Sequence, residues 1–497
     1  MEPNEAVAAT FSKLVRQATG KVNGERMLAF ITVDKTDGSG EASFRSVDHV
    51  VEGIKTRRIV GAAWTPGGTA TKLTVEDVRK GLDLAGIDAA TGIETCLLDV
   101  GENVFPGGGF LAGLVPVKDE SGVADIFRYW RAFLIPHKIE LVLMGADFGG
   151  PNRKAHRRLS EGAPTTLLKK PVWEWKKVPT FDEMIDPGWN AMPVLVVYDM
   201  DQHIFKKGIY AHYEREFDFD DETGAWGSLV FQVTGARAVR SKKGNLVWVC
   251  SRPGDTTLCR VGKDLVSERL GARTEQWHRE LRKRIGTPHL GVRDAQDTRR
   301  PWELTGCWRL FEEVGCKTAA SILKNWRKLR YGSLGRDGDG NAIGARAAIR
   351  SARAALKVLV GFQKQATARG NYTGEHRPRG GWPPETLDAS RITIDAAEKW
   401  IKWNAMLGVE VPARWVSSRW NETKHEGIKR DGGKYLGTFA AEYAAAFGNA
   451  KDRSDRAQRE HASHTPKFEL IKKGTTVVAR LPAEKVPDAV GTDRTEF

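Results

Sequence analysis

A chain of 497 residues with 40% hydrophobic and 28% charged content is long enough for two to four domains, each with its own core, and too rich in apolar residues for wholesale disorder. Its formal net charge of +14 points to a polyanionic partner, nucleic acid ahead of an anionic membrane surface. No apolar run reaches the ~20 residues of a spanning helix, the acidic opening MEPNEAVAAT lacks a secretory layout, and five scattered cysteines (Cys96, Cys250, Cys259, Cys307, Cys316) exclude a disulfide framework, so an intracellular protein, cytoplasmic or nuclear, is expected.

Residues 1 to about 25 pattern as a helix through Val7, Phe11, Leu14 and Ala18. From Met27 to Gly145 the runs MLAFITV, RIVGAAW, ETCLLDV, FLAGLVPV and IELVLMG, separated by Gly- and Asp-containing turns, predict a strand-rich domain over residues 1–148. Two helices interrupt it, one from Thr74 to Ala85 opened by Thr-x-x-Asp and one from Gly122 to Leu134. Residues 149–192 read as a basic Pro/Trp linker or arm. In an extended segment Trp173 and Trp175 point to one side, flanked by Arg153, Lys154, Arg157, Arg158, Lys169, Lys170, Lys176 and Lys177. VLVVYD, GSLVFQV and NLVWVC make residues 193–262 a smaller strand-rich unit, with SKKGN turning between the last two. Residues 263–448 are helical and basic, and 449–497 form a charged flexible tail. No period of ~20 to 50 residues recurs, which argues against a solenoid or propeller. The fold class expected is α+β, a strand-rich N-terminal half followed by a mainly helical, basic C-terminal half.

The charge is concentrated. Lys263 to Arg369 holds 23 Lys and Arg against 11 Asp and Glu, a net +12, interleaved with Trp277, Trp302, Trp308 and Trp326. Within it, Arg346, Arg350, Arg353 and Lys357 recur at helical spacing on one stripe, while Ile349, Ala352, Leu356 and Val360 make the stripe that should bury. No acidic residue interrupts from Ala342 to Thr373. Together with Lys324, Arg327, Lys328, Arg282 and Arg284 as phosphate contacts, and Trp326, Trp173 and Trp175 as stacking surfaces, this is the equipment of a nucleic-acid-binding face.

Other patterns compete. Trp308 to Arg330 has the outline of a helix-turn-helix around Gly315, although Ser321 stands where a buried aliphatic belongs. Asp199 and Asp201, at the end of an apolar strand with Asp218, Asp220 or Asp221 as a further ligand, could hold Mg²⁺ for nucleotidyl transfer or cleavage. Asp337-Gly-Asp339-Gly-Asn341 starts like a calcium loop but has Ala342 and Ala348 at the sixth and twelfth positions, which excludes it. No phosphate-binding loop, dinucleotide fingerprint or nucleophile elbow occurs. The reading these residues favour is a non-enzymatic, largely sequence-independent nucleic-acid-binding or packaging protein, RNA slightly ahead of DNA, self-associating, with no cofactor and no metal. At the level of composition it resembles viral nucleoproteins and capsid proteins. A Mg²⁺-dependent nucleotidyl transferase or nuclease on Asp199 and Asp201, with Asp220, is the first alternative, and a helix-turn-helix DNA-binding protein the second.

Overall fold

A computed structural model describes residues 3–37, 44–51, 54–65, 74–81, 83–105, 108–118, 122–160, 182–183, 194–205, 208–209, 236–240, 246–250, 258–259, 305, 308–309, 317–368, 382, 384–421, 469–473 and 476–480. Asn4 opens the first helix, α1 (Glu5–Thr19), by accepting from the Val7 amide, and Gly20 ends it in the left-handed region. Its buried stripe is Ala8, Phe11 and Val15, so the apolar face is turned from the predicted one and Ala18 is exposed. Then come β1 (Met27–Asp37), the antiparallel pair β2 (Arg45–Val51) and β3 (Ile54–Val60), and α2 (Val75–Arg79). The capping box at α2 is real: Thr74 accepts from the Asp77 amide at 3.1 Å, and Asp77 from the Thr74 amide at 2.7 Å.

After it follow β4 (Gly92–Val100), β5 (Phe110–Val117), α3 (Val123–Leu134), β6 (Ile139–Ala146), α4 (Gly150–Ser160) and β7 (Leu195–Tyr198). Five of these strands make one sheet in the order β5-β4-β1-β6-β7, with β6 and β7 parallel to β1 and β4 antiparallel to it. The chain meanders from β1 to one edge, then crosses through α3 to the other side of β1. That reversal makes the β1/β6 boundary the topological switch point of the sheet.

Two segments differ from the composition-based division. The 149–192 stretch, read as an extended linker, begins with the helix α4. Pro151 sits in its first turn, where a missing amide costs nothing, and Ala155 and Leu159 bury four residues apart. β7, assigned by sequence to a separate unit over 193–262, pairs with β6.

Further on, β8 (Ala236–Arg240), β9 (Leu246–Cys250) and β10 (Leu258–Cys259) form an antiparallel sheet in the order β10-β9-β8. β9 therefore pairs across SKKGN with ARAVR; GSLVFQV lies outside the described residues. The helices α5 (Lys317–Ser333), α6 (Ala345–Ala368) and α7 (Pro384–Met406) follow. A last antiparallel pair, β11 (Glu469–Lys473) and β12 (Thr476–Arg480), stands in the stretch read as a flexible tail, where ELIKK and TVVAR are short β-prone runs on either side of a Gly. With its five-stranded sheet in the N-terminal half and α5 to α7 in the C-terminal half, the chain is α+β, as expected.

The chain divides into two units, the first comprising Met1–Asp199, Ala396–Pro412 and Val416–Ala483, the second Met200–Asp395, Ala413–Trp415 and Glu484–Phe497. In the first unit, Leu28 and Phe30 of β1 face the second half of α7. The Phe30 ring meets Trp400 edge-on at 5.9 Å, and Trp403, Val409 and Val411 join them over Leu143, Leu195 and Val197. Met27 points to the other face, with its sulfur 4.0 Å from the Thr19 hydroxyl of α1. In the second unit α6 buries Ala348, Ile349, Ala352, Ala355, Leu356 and Leu359, close to the predicted stripe. Asp337 ties the α5–α6 connection by accepting from the amides of Asp339 and Asn341, both at 2.9 Å, as turn-forming aspartates do.

Candidate active site

Because β1, β6 and β7 are parallel, their C-terminal ends share one edge of the sheet. Val33, Ala146 and Tyr198 stand in one row across them. The residue after each is an aspartate: Asp34, Asp147 and Asp199. Strand alternation puts Asp34 on the face of Phe30 and Thr32; Asp147 is the first residue past the end of β6, two after Gly145, which is level with Thr32. Asp34 and Asp147 thus each follow one member of the paired row Val33 and Ala146 at the switch point, where open sheets of this type bind their ligands.

The two carboxylates and the third have different environments. Asp34 and Asp147 are half-buried, whereas Asp199 is 1% exposed. Asp147 accepts from the Gly149 amide at 2.8 Å and from the Asn152 side chain, both through Oδ1, which fixes its orientation at the start of α4. A Cβ at Gly149 would come within 2.8 Å of that same oxygen. Asp199 accepts from the Ser417 hydroxyl at 2.7 Å and the Ser418 amide at 2.8 Å on Oδ1, and from the Ser418 hydroxyl at 2.6 Å on Oδ2.

Those serines belong to a six-residue strap, 416–421, that crosses the sheet on the face of Asp34. Val416 lies over Gly145, where any Cβ would stand 2.9 Å from both Val416 and Thr32. Asn421, fully buried, accepts from the Thr32 hydroxyl at 2.8 Å and donates to the backbone carbonyls of Thr32 and Thr95 at 3.1 and 2.7 Å. Trp420 occupies the space above Gly108, a glycine at φ 83°. The strap therefore reaches from the end of β7 to the approach to β5.

The surroundings are cationic. α4 presents Arg153, Lys154, Arg157 and Arg158 and no acidic side chain; Arg153 lies over the Phe148 ring at 4.9 Å and Arg158 is 3.4 Å from Asp125. His156 sits 3.3 Å from the Tyr198 hydroxyl, and burial pulls its pKa down to about 4 while pushing the tyrosine up to about 12. Both are neutral at physiological pH.

The basic candidates of α6, Arg346, Arg350, Arg353 and Lys357, are all exposed on one face, and Arg353 pairs with Asp395 at 3.0 Å. Lys324 lies over the Trp308 ring at 4.5 Å, Arg327 donates to the Tyr331 hydroxyl at 2.9 Å, and Lys328 is half-buried. Trp326 is not a stacking platform. It has no exposed surface and packs edge-on against Trp382 at 5.6 Å, because the α5 stripe that carries it is the buried one. The Asp199–Asp201 pair also fails as read. The strand ends at Tyr198 and Met200–Ile204 coil into a π-helical turn, so the two aspartates do not alternate along one strand, and Asp199 is spent on Ser417 and Ser418. Trp173, Trp175, Asp220, Arg282 and Arg284 lie outside the described residues, as does nearly all of the first helix of the helix-turn-helix outline.

Among the described residues no group of three His, Cys, Asp or Glu side chains is gathered for a metal ion, and no helix is long and apolar enough to cross a membrane. No protein-family model and no curated protein matches the sequence. A solved structure, the Drosophila P element transposase strand transfer complex, superposes on 92% of this chain and 85% of its own at 9% identity and a TM-score of 0.41, values too low to carry any inference.

Proposed function

We propose that this chain binds nucleic acid and catalyses divalent-cation-dependent phosphodiester cleavage or strand joining, with Asp34 and Asp147 holding the cation. The observation that carries the reading is that these two aspartates directly follow Val33 and Ala146, which pair on adjacent parallel strands at the switch point. Neighbouring strands lie ~4.8 Å apart, so two carboxylates in one row are close enough to share an ion. Mg²⁺ is commonly held by one or two carboxylates, with waters and substrate phosphate completing its shell, so the donor set fits. Such an ion supplies an activated water and stabilises charge on the phosphate oxygens. Around it Asp147 is held by Gly149 and Asn152, and the basic side chains of α4 favour an incoming polyanion.

The net charge of +14 and the exposed Arg face of α6 support a nucleic acid as the substrate class. They serve a packaging protein equally well, but carboxylates repel phosphate, so two of them at the carboxyl edge suit a phosphate-binding surface when a cation stands between. The metal-dependent class is favoured on that ground and moves from Asp199 and Asp201 to Asp34 and Asp147. Two-ion chemistry asks for a further acid. Glu422 follows the anchored Asn421 in sequence and is the residue to test for that role; it lies outside the described residues.

The test is cleavage of end-labelled DNA and RNA oligonucleotides, single- and double-stranded, with Mg²⁺, Mn²⁺ or chelator. Cation-dependent products that disappear in Asp34→Asn, Asp147→Asn and Glu422→Gln, with binding retained, are expected. Products from Asp34→Asn and Asp147→Asn at the wild-type rate would refute the assignment.

A further inference from the structure

We infer that Asp199 is a positioning residue whose buried carboxylate holds the strap 416–421 across the carboxyl edge of the sheet, and so sets the geometry around Asp34 and Asp147. The inference deepens the proposed function and rests on it for the link to the cation.

A 1% exposed carboxylate is costly unless its oxygens are satisfied, and here three donors within 2.8 Å satisfy it, all from two consecutive residues more than 200 positions away. Such a bond set is directional. Both serine hydroxyls and one amide must converge on one carboxylate, which leaves Ser417 and Ser418 a single backbone placement. Asn421 holds the other end of the strap by three bonds to β1 and β4. The anchor on Thr32 is two residues before Asp34 on the same strand face, and Val416 lies over Gly145, two residues before Asp147. Releasing the Asp199 end loosens the element seated against both site strands. The Asp-Ser-Ser contact thus acts on the proposed site through the strap.

The experiment uses the full chain with Asp199→Asn, Ser417→Ala/Ser418→Ala and the combined triple variant. Amide hydrogen exchange is read over the strap and over β1 and β6, and Mn²⁺ affinity by titration calorimetry. Expected are faster exchange in 416–421 with β1 and β6 still protected, a ~10-fold loss of Mn²⁺ affinity of the size seen when groups behind metal ligands are removed, and no further loss in the triple variant, because all three changes break one unit. Unchanged strap exchange in Asp199→Asn, or loosened strap exchange with wild-type Mn²⁺ affinity, overturns the inference. If wild-type protein binds no Mn²⁺ the proposed function itself falls. The exchange readout involves no metal, so the two failures are distinguishable. Should Asp199→Asn not fold, Ser418→Ala, which removes one hydroxyl and keeps the amide bond, carries both readouts with the same expected directions.

Discussion

The residues at the sheet edge show how one side-chain type takes three roles. Asp34 and Asp147 are half-buried and proposed to hold an ion, while Asp199, one strand over, is enclosed and bonded to two serines. His156 beside Tyr198 makes the edge sensitive to acid. Burial lowers its pKa from 6.5 to about 4, so the folded chain keeps it neutral where the unfolded chain protonates it. Its contribution to stability is complete above pH 6.5 and is lost as pH falls through about 4. Denaturant melts of His156→Gln against wild type should therefore show a shallower decline between those values, by up to ~1.4 kcal/mol per pH unit at the steepest point. Trp326 belongs to the core and not to the basic face. Because its ring is fully buried against Trp382, Trp326→Ala should destabilise the protein by ~3 to 5 kcal/mol in equilibrium unfolding. At temperatures where it remains folded, oligonucleotide affinity should match wild type.

Among the elements, α6 was the most legible in sequence. Its bounds, its exposed cationic stripe and most of its buried stripe follow from a 3.6-residue period carried over 24 residues. Its surface gives a prediction of its own. Replacing Arg346 and Arg350 with Gln removes two exposed charges and no core contact, so the slope of log affinity against log salt for duplex DNA should fall by ~1.8, about 0.9 per phosphate contact, with the melting temperature unchanged. Arg353 is expected to contribute less, since Asp395 already neutralises it at 3.0 Å. An unchanged slope in the double variant would make the stripe a solvated helix face. The strap was not legible at all. Residues 416–421 have no period to betray them, and their partners Asp199, Thr32, Thr95 and Gly145 lie hundreds of positions away. Gly145 makes the same point, because a glycine inside the run IELVLMG reads as a weak strand position. The packing of Val416 and Thr32 against it explains the need for hydrogen there.

For the whole molecule, the succession of strand-like and helix-like runs leads to an α+β chain, which the five-stranded sheet and α5 to α7 bear out, whereas the proposed cation site depends on strand order. The charge block at 263–369 draws attention to the C-terminal half, yet the carboxylate pair stands in the N-terminal sheet. The clue was present: MLAFITV, IELVLMGA and VLVVY are each followed directly by Asp. Reading it requires knowing that β1, β6 and β7 are adjacent and parallel, which is a property of pairing across 112 or 113 residues between β1 and β6 and 52 between β6 and β7, and not of any local pattern. Without that order Asp199 and Asp201 were the natural pair to choose, being close in sequence. A cation site at Asp34 and Asp147 is tested without recourse to turnover by a Mn²⁺ titration of the 497-residue chain, bound ion followed by electron paramagnetic resonance, in wild type, Asp34→Asn, Asp147→Asn and Arg346→Gln/Arg350→Gln. Saturable binding in wild type and in the arginine variant, weakened at least ~10-fold in each aspartate variant, is the result predicted here; equal binding in all four, or none in any, would contradict a cation site at Asp34 and Asp147.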